Sequence, residues 1–154
     1  MKKSKVEMSD LTLGYLINKT THYIKIAGLQ FFKEKNFSVT KEQFVILYIL
    51  QNENGMSQRQ LGKTALKDRP NITRLIDILE QRDLLYRKID PKDRRVIRVF
   101  ITDEGKKQVE KILPSIKDVN ELAFKGITNE EQETLKTILE KIRSNLEQTF
   151  KLQF

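Results

Sequence analysis

Arg69, Asn71, Thr73 and Arg74 fall within one short stretch, and a second polar cluster, DPKDRR, follows at residues 90–95. Arg brings a rigid fork of donors, Asn a donor beside an acceptor, and Thr a hydroxyl that does either. Such a set neutralises anions and hydrogen-bonds flat polar edges; it does not break bonds. Bond-breaking chemistry is also poorly provided for elsewhere. The chain has one His and no Cys, no glycine-rich phosphate loop, and no His-Asp-Ser or paired-carboxylate arrangement that stands apart from helix surface. One His without Cys leaves only carboxylates to complete a zinc site, so neither a metal nor another cofactor is expected. The residues argue against an enzyme.

The elements that must carry these side chains can be read from periodicity. Asp68 is an N-cap type, Pro70 sits where a first helical turn tolerates a missing N–H, and Ile72, Leu75, Ile76 and Leu79 recur at helical spacing. The opposite face of that helix shows Arg69, Asn71, Thr73 and Arg74. Beyond it the period changes to two: Leu85, Arg87 and Ile89 enter a polar loop, after which Arg95, Ile97, Val99 and Ile101 alternate with Val96, Arg98 and Phe100. A hairpin with a basic tip directly after a polar-faced helix is the arrangement of a winged helix-turn-helix, whose helix enters a DNA major groove while its wing reaches the adjoining backbone or minor groove.

Charge supports that arrangement. Residues 57–102 hold twelve Lys and Arg against six Asp and Glu, so this segment carries most of the net +8 of a 154-residue chain. A basic run alone is usually a solvated face, but here it coincides with a motif that gains affinity by releasing counterions from phosphates. No apolar run reaches the roughly 20 residues of a membrane span, and the start MKKSKVEMSD lacks an apolar signal core. A soluble, cytoplasmic protein without a membrane partner is expected, and its length suits one domain spanning residues 1–154.

Before the basic segment, a long helix is expected from Asp10 to about Lys35, with Leu13, Leu16, Ile17, Thr20, Ile24, Ala27 and Phe31 along one stripe and Leu11, Tyr15, Tyr23 and Phe32 widening it. Thr40 and Gln43 form a capping-box pattern ahead of FVILYIL, apolar enough for a fully buried central helix that ends in the turn NENG. Ser57 and Gln60 repeat the box before a short helix with Leu61 and Ala65 inward. After the hairpin, Thr102 caps a helix that Pro114 should kink and Gly126 should close. Thr128 and Glu131 start a last helix that presents Leu135, Ile138, Leu139, Ile142, Leu146 and Phe150, and the chain finishes with Leu152 and Phe154. Two readings of this terminal apolar surface stay open, intramolecular packing and a shared dimer core, and the second is favoured because a symmetric reader needs two copies.

With these residues in place, the chain resembles the multiple antibiotic resistance regulator (MarR) family of winged-helix repressors over essentially its whole length. The most specific piece is Asp93, Arg95, an alternating strand ending in Ile101 and Thr102, and then Gly105. The resemblance implies a mainly α fold with a small β-hairpin wing: residues about 37–102 bind DNA, and about 9–36 and 103–154 supply dimerisation helices. It also implies a homodimer on a pseudo-palindromic operator in double-stranded DNA. Arg69, Pro70, Asn71, Thr73 and Arg74 then form the leading end of the recognition helix, with Arg69 and Asn71 suited to base edges and Thr73 equally to phosphate. Arg74 has a plainer alternative, a surface salt bridge with Asp77 or another acidic neighbour. Arg95 becomes the minor-groove arginine held by Asp93, with Arg94 its close competitor, and Ser57, Gln58, Arg59 and Lys63 become phosphate contacts.

Members of the family bind small, often anionic aromatic molecules where dimer helices meet the winged domain. By that resemblance Tyr15, His22, Phe44 and Tyr48 are candidates for an effector site, although Phe44 equally suits core filling and His22 a half-exposed helix position. The competing functional reading is a winged-helix module that docks on protein or binds DNA without sequence preference.

Overall fold

The computed structural model describes residues 12–150, so the expectations for Asp10, Leu11, Leu152 and Phe154 lie outside the described residues. The chain divides into two compact units, with the boundary between Lys41 and Glu42. In the first unit, α1 (Thr12–Glu34) is a single long helix. It stops where Asn36 adopts a left-handed backbone (φ +49°), and Phe31, Phe32 and Phe37 pack edge to face around that stop. The stripe read from the sequence is on the helix, but Leu13, Tyr15, Leu16, Ile17, Tyr23 and Ile24 are all exposed in the single chain.

All of α2 (Lys41–Asn52) but its first residue belongs to the second unit, and the helix buries Gln43, Phe44, Ile46, Leu47 and Leu50. It is not fully buried as its apolar run implied. Glu42, Val45, Tyr48 and Asn52 share the opposite face, and Tyr48 remains 42% exposed. The turn that follows places Gly55 at φ +78°, against the ring of Phe100. It leads into a two-residue strand, β1 (Met56–Ser57), that the sequence reading missed because two residues show no alternation.

Next come α3 (Gln58–Thr64) and α4 (Arg69–Gln81), then β2 (Leu85–Ile89) and β3 (Ile97–Ile101). The three strands form one antiparallel sheet in the order β1-β3-β2. Its register pairs Leu85 with Ile101, Arg87 with Val99 and Ile89 with Ile97, and Met56 with Val99. Leu85, Val99 and Ile101 therefore share the core face with Leu61, Ile72, Leu75, Ile76 and Leu79, all buried. The fold is a mainly α winged helix-turn-helix, as expected.

Two joints fix this unit. At the helix-turn-helix, Leu66 adopts φ +52° and Lys67 N–H donates to the Gly62 carbonyl at 2.9 Å, while a Cβ on Gly62 would press on Ile72 and the Lys67 carbonyl. At the foot of the wing, the Thr102 hydroxyl donates to the Asp83 carbonyl at 2.7 Å and accepts from Gly105 N–H at 3.0 Å. A Cβ on Gly105 would stand 2.1 Å from the Leu84 carbonyl oxygen.

From that joint runs α5 (Asp103–Ala123), which passes through Pro114 without interruption. It closes at Phe124, not at Gly126; Gly126 takes a left-handed φ of +83° two residues later. α6 (Asn129–Thr149) follows, opened by the Thr128–Glu131 capping box, and has no buried residue.

The wing loop is held by Asp90, a buried carboxylate that sequence reasoning overlooked. Its Oδ1 accepts from the backbone N–H groups of Lys92 at 2.7 Å and Asp93 at 3.1 Å, and its Oδ2 accepts from Arg98 Nε. Arg98 also donates through Nη1 to the Gly55 carbonyl at 2.9 Å. The Arg98 guanidinium, helped by those two N–H groups, lowers the Asp90 pKa from its ordinary value of 3.8.

Two predictions follow from these joints. Ala normally favours a helix over Gly by about 1 kcal/mol, yet Gly105→Ala should destabilise the protein by about 1–3 kcal/mol, because backbone must move to admit the methyl group; urea unfolding reads the sign directly. Asp90→Asn should be less stable than the native chain at neutral pH. Because the folded pKa is depressed, the native advantage is present above the unfolded value and is lost as pH falls through the lower folded one, so the two unfolding midpoints should converge under acid below pH 3.8.

Candidate nucleic-acid interface

The expected surface residues occupy the start of α3, the start of α4 and the wing tip. Ser57 caps α3: its hydroxyl accepts from Gln60 N–H at 3.2 Å, and Gln60 Oε1 accepts from Ser57 N–H at 3.1 Å. Arg59 and Lys63 are exposed. Gln58 turns inward instead, donating through Nε2 to the Thr73 hydroxyl at 2.7 Å. Thr73 in turn donates to the Arg69 carbonyl at 2.8 Å. These two polar residues brace α3 against α4 through that bond, while the Gln58 Oε1 is buried without a hydrogen-bond partner.

On α4, Asp68 caps the helix by accepting from Asn71 N–H at 2.9 Å, and its second oxygen accepts from Asn71 Nδ2 at 3.0 Å. This bond orients the Asn71 amide through one of its two N–H groups, on a residue that is exposed. Arg69, Pro70 and Arg74 are exposed beside it. The Arg74–Asp77 pair considered from the sequence does not form, since Asp77 pairs with Arg87 at 2.8 Å. At the wing, Asp93 Oδ1 accepts from Arg95 N–H at 3.0 Å and from Arg95 Nε at 3.3 Å. The Arg95 side chain is otherwise 92% exposed, and Arg94 is exposed next to it. Asp93 thus aligns the stem of Arg95 while the outer guanidinium nitrogens stay available.

This arrangement can neutralise phosphates and read donor and acceptor patterns, with Arg69, Asn71 and Arg74 on one helix end and Arg94 and Arg95 on a separate projection. Among the described residues no group of three or more His, Cys, Asp or Glu is placed to hold a metal ion, and no helix is long and apolar enough to cross a membrane. The residues expected at an effector site differ in exposure. Tyr15, His22 and Tyr48 are exposed, whereas Phe44 is buried and stacks on Tyr48 at a centroid distance of 5.9 Å.

Comparisons with known proteins agree with this geometry. The HTH-type transcriptional regulator YkoM of Bacillus subtilis is 34% identical over 109 residues, covering 71% of this chain and 70% of that protein. The crystal structure of S. aureus MepR in complex with DNA superimposes with a TM-score of 0.74 at 26% identity, covering 89% of this chain and 98% of that one. A structure of Bordetella bronchiseptica BpsR, whose DNA binding is regulated by 6-hydroxynicotinic acid, has a TM-score of 0.71 at 25% identity and covers 85% of this chain and 98% of that one. The sequence model of the MarR family matches residues 39–97, the stretch that holds α3, α4 and the wing loop. This chain belongs to the MarR family of DNA-binding, winged helix-turn-helix transcriptional regulators, which are not enzymes.

Proposed function

We propose that the chain is a cytoplasmic, homodimeric repressor that binds a pseudo-palindromic operator through residues about 37–102 and dimerises through residues about 9–36 and 103–154. The observation that carries this reading is the outward placement of Arg69, Asn71 and Arg74 on the capped end of α4, with Arg95 held by Asp93 on the wing. Arg69 and Arg74 suit guanine O6 and N7, the oriented Asn71 amide suits adenine, and Arg95 suits a narrow minor groove. Arg59 and Lys63 act on phosphates and fix register, while Ser57, whose N–H and hydroxyl both donate to Gln60 Oε1, serves as the cap of α3. Gln58 and Thr73 position the two helices rather than touch DNA, and Pro70 shapes the first turn. The exposed apolar residues of α1 and α6, among them Leu16, Ile24, Leu139 and Ile142, suit burial against a second copy.

A small aromatic acid is the effector class this reading favours, with Tyr15, His22, Phe44 and Tyr48 as its candidate contacts; within the second unit the exposed Tyr48 stacks on the buried Phe44. BpsR, at 25% identity, responds to such a molecule. An effector acts only by binding one arrangement of the recognition helices better than another, and a coupling of about 1–3 kcal/mol changes operator affinity about 5- to 150-fold.

Fluorescence anisotropy on a duplex from the chain's own upstream region, against a random duplex of equal length, tests the reading across a salt series. The operator should bind about a thousandfold tighter or better, and Arg95→Ala should weaken it and lower the salt slope by about one per protomer while sedimentation still shows a dimer. Equal affinity for both duplexes would favour a non-specific or protein-docking module, and a stable monomer at micromolar concentration would remove the symmetric operator. Salicylate-like acids should dissociate the complex; if none does so at millimolar concentration, that effector class is wrong.

A further inference from the structure

Arg87 is the basic residue of the segment whose guanidinium points back at the recognition helix. Its Nε donates to Glu80 Oε2 at 2.9 Å, its Nη2 reaches both Glu80 Oε2 and Asp77 Oδ1, and its own backbone N–H donates to Glu80 Oε1 at 2.9 Å. Two carboxylates three residues apart, almost one helical turn, therefore grip one strand residue through its side chain and its main chain. The three side chains are roughly two-thirds shielded from solvent, the most open being Asp77 at 44%. The Arg87 hydrogen bond also holds the Glu80 carboxyl below its ordinary range, against the opposing effect of burial.

The position of this grip matters more than its strength. Along β2, Leu85 is buried, Arg87 is intermediate and Ile89 is 66% exposed, so Arg87 is the last residue of the strand tied to α4 before the ribbon leaves the core. β3 is held on its other side by β1 and by Arg98 on the Gly55 carbonyl, whereas β2 is the edge strand and meets α4 through this grip. The turn joining α4 to β2 is fixed at its own end, where Asp83 is left-handed at φ +54° and its carbonyl accepts from the Thr102 hydroxyl at 2.7 Å, so the Arg87 grip is a second tie farther along the strand.

We propose that Asp77, Glu80 and Arg87 form a positioning clamp that sets the wing relative to the recognition helix, so that Arg95 and the leading end of α4 engage DNA as one unit. The proposal rests on the reading that both of those surfaces touch DNA. Arg87 itself is a positioning residue: its donors face carboxylates on α4, and no bond to the nucleic acid is required of it.

A double-mutant cycle on the full-length protein separates the clamp from a phosphate contact. Operator affinity and its salt dependence are measured for the native protein, Arg87→Ala, Glu80→Gln, Arg95→Ala and the two double variants that contain Arg95→Ala, with thermal unfolding of each free protein as the check on folding. Glu80→Gln preserves side-chain size and keeps the cycle usable if Arg87→Ala does not fold. In the native background Arg95→Ala should weaken binding about tenfold; in the Arg87→Ala or Glu80→Gln background the same change should cost less than about twofold, because the wing is no longer aimed. Glu80→Gln should itself weaken binding. Equal costs for Arg95→Ala in every background would overturn the clamp. So would tighter binding by Glu80→Gln, the result expected if a released Arg87 gripped phosphate. An Arg95→Ala change without effect in the native protein would overturn the wing reading itself, and the clamp's role with it.

Discussion

The structure of the reading head depends on the burial of one face of α4. Ile72, Leu75, Ile76 and Leu79 are each at most 2% exposed, and fully burying a side chain of this kind is favourable by about 1.5–3 kcal/mol. A helix committed on that face has no rotational freedom, so Arg69, Asn71 and Arg74 must point to solvent. The surrounding joints serve the same constraint. Gly62 and the left-handed Leu66 let α3 come close, Asp68 caps the start of α4 so that Asn71 is oriented, and Gly105 lets α5 start against the Leu84 carbonyl.

Much of this was legible in the sequence because it follows from local periodicity and capping. The stripe of α4, its Asp68 cap, the alternation from Ile97 to Ile101, and the boxes at Ser57–Gln60 and Thr128–Glu131 are all determined within a few residues of chain. Groups whose partners lie farther along the chain were not legible. Asp90 is used by Arg98, Arg98 by Gly55, and Arg87 by Asp77 and Glu80; spacing does not single these partners out among the many charges available. Residues 90–95 read as a polar loop, but nothing nearby signalled that the Asp90 carboxylate is buried. Similarly, Gln58 and Thr73 have side chains suited to phosphate, and only the fold reveals that they bond each other.

The apolar stripes raise a different point. Periodicity located them on α1, α5 and α6, but it does not say what covers them. Burial in the single chain stops near Ile112 on α5, and α6 buries nothing. An open groove between the end of α5 and α6 is lined by Phe124, Leu135 and Leu139. Surface of that character is poorly tolerated in an isolated soluble chain. A second copy would remove it from water and, by the same contact, set the distance between two copies of α4 on DNA. Stability and operator spacing would then depend on one interface.

The central claim is that DNA is read by the capped end of α4 together with the tip of the wing. Hydrogen–deuterium exchange of the dimer, with and without its operator duplex, tests this most directly because it reports on each backbone segment separately. Slower exchange on binding is expected at residues 57–63, 69–74 and 92–96, with α6 unchanged. Protection confined to α6 or α1, with residues 69–74 and 92–96 exchanging as in the free protein, would contradict it.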